Sequence, residues 1–257
     1  MYTPSFRVKK NGVPILSKEN IEIIGENFIR DFCPTALQTP QAIDIDEFVE
    51  FYLGMKIDYQ YLSNDGRYLG MTVFNDTDKV IIYDPENNQA DYLHADARTV
   101  LIDNSLLAEN QEHRYRYTMG HEGAHDIFHS GYYAYDPNQI SMFDKFEAAP
   151  MVQCREKAFV STPRDWSKWT DIDRMEWQAN FLSSVLLMPK KAVQLLASQY
   201  PEDPKTLKGA YGLVHRVADV FNVSTEAATY RLKELKIIPN NHATVNYHTL
   251  SVIACFD

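Results

Sequence analysis

Apolar residues recur every three or four positions over residues 18–32, and this spacing predicts an amphipathic helix. The residues that carry the spacing are Ile21, Ile24, Phe28 and Phe32. A similar spacing over residues 43–51 predicts a second helix, which Gly54 closes. The first part of the chain is therefore expected to be mainly helical.

The period changes after Gly54. Short segments rich in β-branched and aromatic residues alternate with turn residues such as Asn64-Asp65-Gly66, which is the pattern of strands joined by tight turns. The predicted strands span residues 56–62, 68–74, 79–83 and 99–103. We expect a small sheet, in which the strand at 99–103 could offer an edge to an extended peptide.

Helical spacing returns after the strands. A helix is expected from about Asn110, which would cap it, to His129, with Ser130-Gly131 ending it. Residues 131–170 contain several prolines and have no clear period, so we interpret them as a long and partly irregular insertion.

The last third of the chain is also predicted to be largely helical. One apolar stripe runs over residues 171–187, and Pro189 interrupts it. Residues 190–237 look helical in three pieces. Residues 243–256 alternate only weakly between apolar and polar positions and could form a strand.

Composition and charge exclude several classes of protein. The 257 residues are 45% apolar and 23% charged, which is ordinary for a globular protein. The formal net charge of −10 disfavours nucleic-acid binding by the surface as a whole. No apolar run is long enough to span a membrane, and the N-terminus lacks the hydrophobic segment of a secretory signal. The three cysteines, Cys33, Cys154 and Cys255, are odd in number and far apart, so we expect a reduced, cytoplasmic protein.

The most informative segment is His121-Glu122-Gly123-Ala124-His125, an H-E-x-x-H pattern within a predicted helix. Four residues advance an α-helix by about 400° and about 6 Å, so both imidazoles project from one face. Two histidines in this arrangement can ligate Zn²⁺. Glu122 lies one residue after the first ligand, where a carboxylate can flank the metal and act as a general base.

A catalytic zinc site needs a third protein ligand and keeps one position open for water. His129 is an unsuitable candidate, because it lies about 12 Å from His121 along the helix while the metal must lie between His121 and His125. We expect it to cap or pack at the C-terminus of the helix. Glu176 is the better candidate. With Asn180 one turn later it resembles the E-x-x-x-D arrangement of gluzincins, in which the second residue accepts a hydrogen bond from a ligand histidine. Read without the zinc motif, Glu176 would be interpreted as an exposed helix carboxylate.

Other reactive side chains lie in or beside the predicted insertion. A Cys154 thiolate near zinc could act as a fourth ligand, although an ordinary buried or surface thiol is the simpler interpretation. Tyr132, Tyr133 and Tyr135 could donate to an oxyanion, line a peptide groove or simply pack. The sequence leaves these alternatives open.

Two segments together resemble a known family. The segment HEGAHDIFH, followed about fifty residues later by EWQANFLSSVLLMP, is similar to the ImmA/IrrE zinc metallopeptidases over roughly residues 15–190. The resemblance implies zinc ligands at His121, His125 and Glu176, with Glu122 catalytic. Many members carry a second Glu where this chain has Gln178, which favours Glu176 as the ligand. The resemblance also implies site-specific cleavage of a helix-turn-helix transcriptional repressor.

The C-terminal segment admits two interpretations. Residues 213–237 resemble a helix-turn-helix, and residues 205–257 have a net charge of about +2, against about −12 for the rest, so DNA binding is open. A helical packing module that buries Val223 and Leu232 is favoured, because a DNA reader would carry more Lys and Arg on its second helix.

These inferences predict an α+β fold with a small, mainly antiparallel sheet packed on zinc-binding helices. A metallopeptidase domain is expected at 1–190 and a helical, helix-turn-helix-like module at 191–257. The expected activity is that of a regulatory zinc endopeptidase with a protein substrate and no membrane partner. The alternatives are a DNA- or protein-binding regulator whose zinc is structural or inactive, and a zinc hydrolase acting on something other than peptide.

Overall fold

The computed structural model describes residues 1–133 and 168–240 and, for residues 151–155, the backbone. The strand expected at 243–256 and most of the predicted insertion therefore lie outside the described residues. In the described part, seven α-helices pack against two small sheets. This confirms the predicted α+β class.

Helix α1, Lys18–Phe32, has the bounds that its apolar spacing predicts. Ser17 accepts a hydrogen bond from the backbone N–H of Asn20, and the Asn20 side chain accepts from that of Ser17, which makes a reciprocal cap at the N-terminus. The helix buries its apolar stripe and ends before Pro34, which begins a 3₁₀ turn, Pro34–Leu37.

The second predicted helix is present but irregular. It begins as α2, Ile45–Glu47, and continues as a π-helical turn, Phe48–Tyr52. Asp44 caps it by accepting a hydrogen bond from the backbone of Glu47. Gly54 then reverses the chain with φ of +72°, a conformation that glycine adopts without strain.

The strands bear out the predicted sheet with small changes at their ends, and they include two that the sequence pattern did not predict. They are β1 Lys56–Gln60, β2 Tyr68–Val73, β3 Thr77–Asp84, β4 Gln89–Ala95, β5 Thr99–Asp103 and β6 Met151–Arg155. One sheet has the order β1-β5-β2-β6, with β1 and β5 parallel and the other pairs antiparallel. Strands β3 and β4 form a separate antiparallel hairpin.

The expectation that the strand at 99–103 offers an edge was wrong. Strand β5 lies between β1 and β2, and all five of its residues are buried. Because its backbone groups pair on both sides, β5 cannot add a further peptide strand.

Helix α3, Glu112–Tyr133, differs from its prediction at both ends. Asn110 is not its cap, because it adopts a left-handed conformation with φ of +65°. The helix also continues through Ser130 and Gly131, where the sequence pattern predicted an end. The additional turn places His129 inside the helix.

The C-terminal helices follow the predicted order, with α4 at Asp171–Leu187, α5 at Lys190–Ser198, α6 at Leu207–Phe221 and α7 at Thr225–Glu234. Thr170 caps α4, and Asn222 ends α6 in the left-handed conformation with φ of +51°. Val223 and Leu232 are buried, as the packing interpretation predicts.

One hydrophobic core connects these helices with the N-terminal part of the chain. It runs from α1 and the π-helical turn, through α3 and α4, to Leu232 and Ile238. Arg231 on α7 is buried and donates to both carboxylate oxygens of Glu22 on α1 and to the backbone carbonyl of Met188. The domain boundary at 190 stays a prediction. Among the described residues, no helix is long and apolar enough to cross a membrane.

Candidate metal centre

Close packing of α3 on α4 brings the predicted ligands together. Gly120 allows the approach, because a Cβ atom there would lie 2.7 Å from Oγ of Ser183. The Ser183 hydroxyl donates to the backbone carbonyl of Tyr117, and the Tyr117 hydroxyl donates to the backbone carbonyl of Asn180. These contacts fix the rotation of α4, which turns Glu176 towards the histidines of α3.

His121, His125 and Glu176 converge on one point. The Nε2 atoms of the two histidines are 3.0 Å apart, and each lies 3.5 Å from a carboxylate oxygen of Glu176. Ligand bonds of about 2.0–2.2 Å to a tetrahedral zinc would hold donor atoms about 3.3–3.6 Å apart. Both histidines are fully buried and Glu176 is half-buried, so these residues could hold a metal ion.

The chemistry of the donor atoms also fits a cation. Nδ1 of His121 lies 3.0 Å from Oδ1 of Asn180, which can only accept, so a neutral ring donates from Nδ1 and presents its lone pair at Nε2. Burial lowers the pKa of His125 well below its usual value, so this ring is neutral. Two nitrogen lone pairs and a carboxylate that face each other repel unless a cation lies between them.

His129 lies outside this group of three but is connected to it. Its Nδ1 atom is 2.9 Å from Nδ1 of His125, and its Nε2 atom is 3.0 Å from Oε1 of Gln178. Burial lowers the pKa of His129 to about 3, so the ring is neutral. His129 does not cap the helix, because the helix continues to Tyr133, but its ring is fully buried, as the packing interpretation expects. The repeated spacing of four from His125 was the available sequence signal.

Glu122 points from α3 towards β2 and is completely buried. The Thr72 hydroxyl lies 2.6 Å from its Oε2 atom, and a Cβ atom at Gly70 would lie 2.7 Å from its Oε1 atom. Burial raises the pKa of Glu122 to about 7, although the hydrogen bond from Thr72 opposes this shift. Oε1 makes no hydrogen bond within the described part of the chain, so it is the oxygen that remains able to take a proton.

The structure describes only some of the tyrosine and cysteine side chains that the sequence suggested for the site. Tyr133 is buried and stacks on Phe74 with ring centroids 4.7 Å apart, and burial raises its pKa. Tyr132 packs edge-on against Tyr133, whereas Tyr135 lies outside the described residues. The backbone of Cys154 in β6 pairs with that of Gly70 in β2. The Cys154 side chain lies outside the described part of the structure, so its role stays a prediction. Thr72 and Gly70 carry no motif, and sequence reasoning missed them.

Comparison with known proteins agrees with the site. The model of a peptidase family, M78, described as the IrrE N-terminal-like domain, matches residues 78–233, which is more than half of the chain. The matched residues include both α3 and α4, and therefore all members of the metal-binding group. No curated protein gives a significant match. The extent of the family match and the convergent His-His-Glu group lead to one conclusion: the chain belongs to the ImmA/IrrE family of metallopeptidases.

Proposed function

We propose that the protein is a zinc-dependent endopeptidase that cleaves a specific protein, with Glu122 as the general base. The observation that carries the proposal is the convergence of His121, His125 and Glu176 beside a buried carboxylate with one oxygen that accepts no hydrogen bond in the described residues. Nitrogen and carboxylate ligands with an open fourth position are typical of catalytic zinc, whereas closed structural sites favour cysteine.

Glu122 and Thr72 have different roles in the proposed hydrolysis. A bound Zn²⁺ would supply Lewis-acid activation of a water molecule and of the scissile carbonyl. Oε1 of Glu122 takes the proton of the attacking water and later passes it to the leaving amine. The Thr72 hydroxyl holds the other carboxylate oxygen during both transfers. A pKa of about 7 suits this exchange, because such a group can both accept and release a proton near neutral pH.

We propose that the enzyme cleaves a cognate protein, such as a helix-turn-helix repressor, mainly at one peptide bond and does not digest proteins in general. Burial of the site supports this restriction: His121, Glu122 and His125 are all 0% exposed. Only an extended segment, such as an interdomain linker, could reach groups at that depth. Mass spectrometry of the products from unfolded casein and from co-encoded repressors tests this, and rapid cleavage of casein at many sites would contradict it.

Metal content and activity can be separated by two variants. His121→Ala should lose the zinc that the wild type binds in a 1:1 ratio, while His113→Ala, at an exposed histidine of the same helix, should keep it. Glu122→Gln retains size and hydrogen bonding but cannot accept the proton, so it should keep zinc and lose cleavage. Stoichiometric zinc in His121→Ala would refute the ligand assignment. Near wild-type turnover by Glu122→Gln would refute the general base.

A DNA-binding regulator is the less favoured alternative. Arg231, the arginine of α7, is buried against Glu22 and is therefore withheld from a DNA phosphate. Glu234 of the same helix forms an ion pair with Lys18. We expect no specific duplex binding by the isolated chain, and titration of fluorescent duplexes over a range of salt concentrations tests this. Sequence-dependent nanomolar binding at physiological salt would favour the regulator.

A further inference from the structure

A hydrogen-bonded chain of four groups leads from His125 to the N-terminal segment. Gln178 donates from Nε2 to the backbone carbonyl of Pro14 at 3.0 Å, and its Oε1 atom lies 3.0 Å from Nε2 of His129. Nδ1 of His129 lies 2.9 Å from Nδ1 of His125. The three side chains that make these hydrogen bonds, His125, His129 and Gln178, are each at least 98% buried, so water does not compete for the bonds.

The direction of each bond follows from the first one. The carbonyl of Pro14 can only accept, so the amide of Gln178 must present its NH₂ group there and its oxygen to His129. That oxygen can only accept, so His129 carries its proton on Nε2 and has a lone pair on Nδ1. His125 must then donate from Nδ1, which leaves the lone pair of its Nε2 atom directed at His121 and Glu176.

We propose that His129 and Gln178 are positioning residues that hold His125 in the tautomer required for metal binding, with the backbone carbonyl of Pro14 setting the polarity of the relay. This inference rests on the metal site of the proposed function. Neither residue touches the metal-binding point, and both act through the ring of His125. The end of the relay carries no formal charge, because Gln178 is an amide and Pro14 contributes a backbone carbonyl.

The origin of the relay lies in a part of the chain that the family match does not cover. Residues 7–15 form a short hairpin, in which Val8 and Pro14 pair and Ile15 donates to the carbonyl of Arg7. Asp171, at the start of α4, accepts hydrogen bonds from Lys9 and Asn11 of this hairpin. The hairpin is thereby held against the helix that carries Gln178, and the matched residues begin only at position 78.

Long-range ¹H–¹⁵N correlation spectra of histidine-labelled protein test the relay without any substitution. In both metal-free and zinc-loaded protein, His129 should carry its proton on Nε2 and His125 on Nδ1. Signals are assigned by their loss in His129→Gln and His125→Gln. A His129 protonated on Nδ1 would donate to His125, which reverses that bond and overturns the proposal.

Zinc affinity, measured by competition with a chromophoric chelator, tests the consequence. His129→Phe keeps the ring volume but offers no acceptor, and it should weaken zinc binding by about 10- to 100-fold, as is typical when a partner of a ligand histidine is lost. His129→Gln can both accept from His125 and donate to Gln178, and should bind zinc nearly as well as the wild type. Gln178→Leu and Gln178→Glu form a second matched pair, since only Glu retains an acceptor for His129.

Two outcomes separate the relay from the proposed function. Wild-type affinity in His129→Phe and Gln178→Leu would overturn the relay and leave the zinc peptidase standing. A wild-type protein with the expected tautomers but no zinc affinity would refute the zinc peptidase and leave the hydrogen-bonded relay in place. Thermal unfolding of the metal-free variants provides the control. If His129 had only a structural role, His129→Phe and His129→Gln would lose stability equally, and His129→Gln would not regain zinc affinity.

Discussion

The Thr72 hydroxyl lies 2.6 Å from Oε2 of Glu122, a residue fifty positions later in the chain. Thr72 belongs to β2 and Glu122 to α3, and both are completely buried. A hydrogen bond to a charged carboxylate is stronger than one between neutral groups. It therefore directs Oε2 towards the sheet and leaves Oε1 available for proton transfer.

Thr72→Val should impair catalysis without removing the metal. The substitution keeps the shape of the side chain but deletes the donor to Glu122, so the carboxylate is less firmly oriented and harder to ionise. We expect the turnover number to fall about tenfold, equivalent to about 1.4 kcal/mol of transition-state stabilisation. Steady-state kinetics and zinc analysis provide the measurement. Thr72→Ser, which retains the hydroxyl, should remain active, and equal loss in both variants would exclude this role.

Gly70→Ala should also affect Glu122 directly. The new Cβ atom would lie 2.7 Å from Oε1 of Glu122 and from a methyl carbon of Thr118, so the carboxylate must move. We expect strongly reduced cleavage with zinc still bound. Gly131→Ala is the matched control, because a Cβ atom there meets nothing within 4 Å and the position is helical. Activity equal to that of the control would show that Glu122 tolerates displacement.

Removal of the acceptor from Asn180 should weaken metal binding. Asn180→Leu leaves the Nδ1–H group of His121 without its partner 3.0 Å away, and the ring is then free to rotate or to change tautomer. Loss of such a partner typically costs about 10- to 100-fold in metal affinity. Asn180→Asp keeps the acceptor and adds a charge that makes His121 a stronger ligand, so it should bind zinc at least as tightly as the wild type. Chelator competition compares the two, and similar weakening in both would point to a packing defect.

Glu22→Ala should destabilise the whole fold. It leaves the guanidinium of Arg231, which is 1% exposed, without the carboxylate that both of its terminal nitrogens contact. Breaking a buried ion pair in this way costs about 3–5 kcal/mol of unfolding free energy. Lys18→Ala is the control, because it breaks the partly exposed pair with Glu234 and should cost about 1 kcal/mol or less. Urea unfolding measures both, and equal effects would mean that Arg231 finds other partners.

The sequence by itself determined the local features of this protein. The bounds of α1 follow from an apolar stripe with a cap at Ser17 and a stop at Pro34. The placement of His121 and His125 on one face follows from the helical repeat alone. The family resemblance also rests on residues close together in two helices. Such features depend on neighbours within a few positions, so the printed order of residues is sufficient to predict them.

Only the tertiary structure decided which distant residues serve the site. Strand β4 was missed because its hairpin is largely exposed, so no burial pattern marks its residues. The interior position of β5, the approach of Thr72 to Glu122 and the link from Pro14 to Gln178 each join elements far apart in sequence. Such contacts depend on the order of strands in the sheet and the rotation of packed helices. The strand order and the helix rotations are set by burial of the core as a whole. Many alternative pairings of strands and helices would show the same hydrophobic periodicity, so the periodicity cannot choose among them.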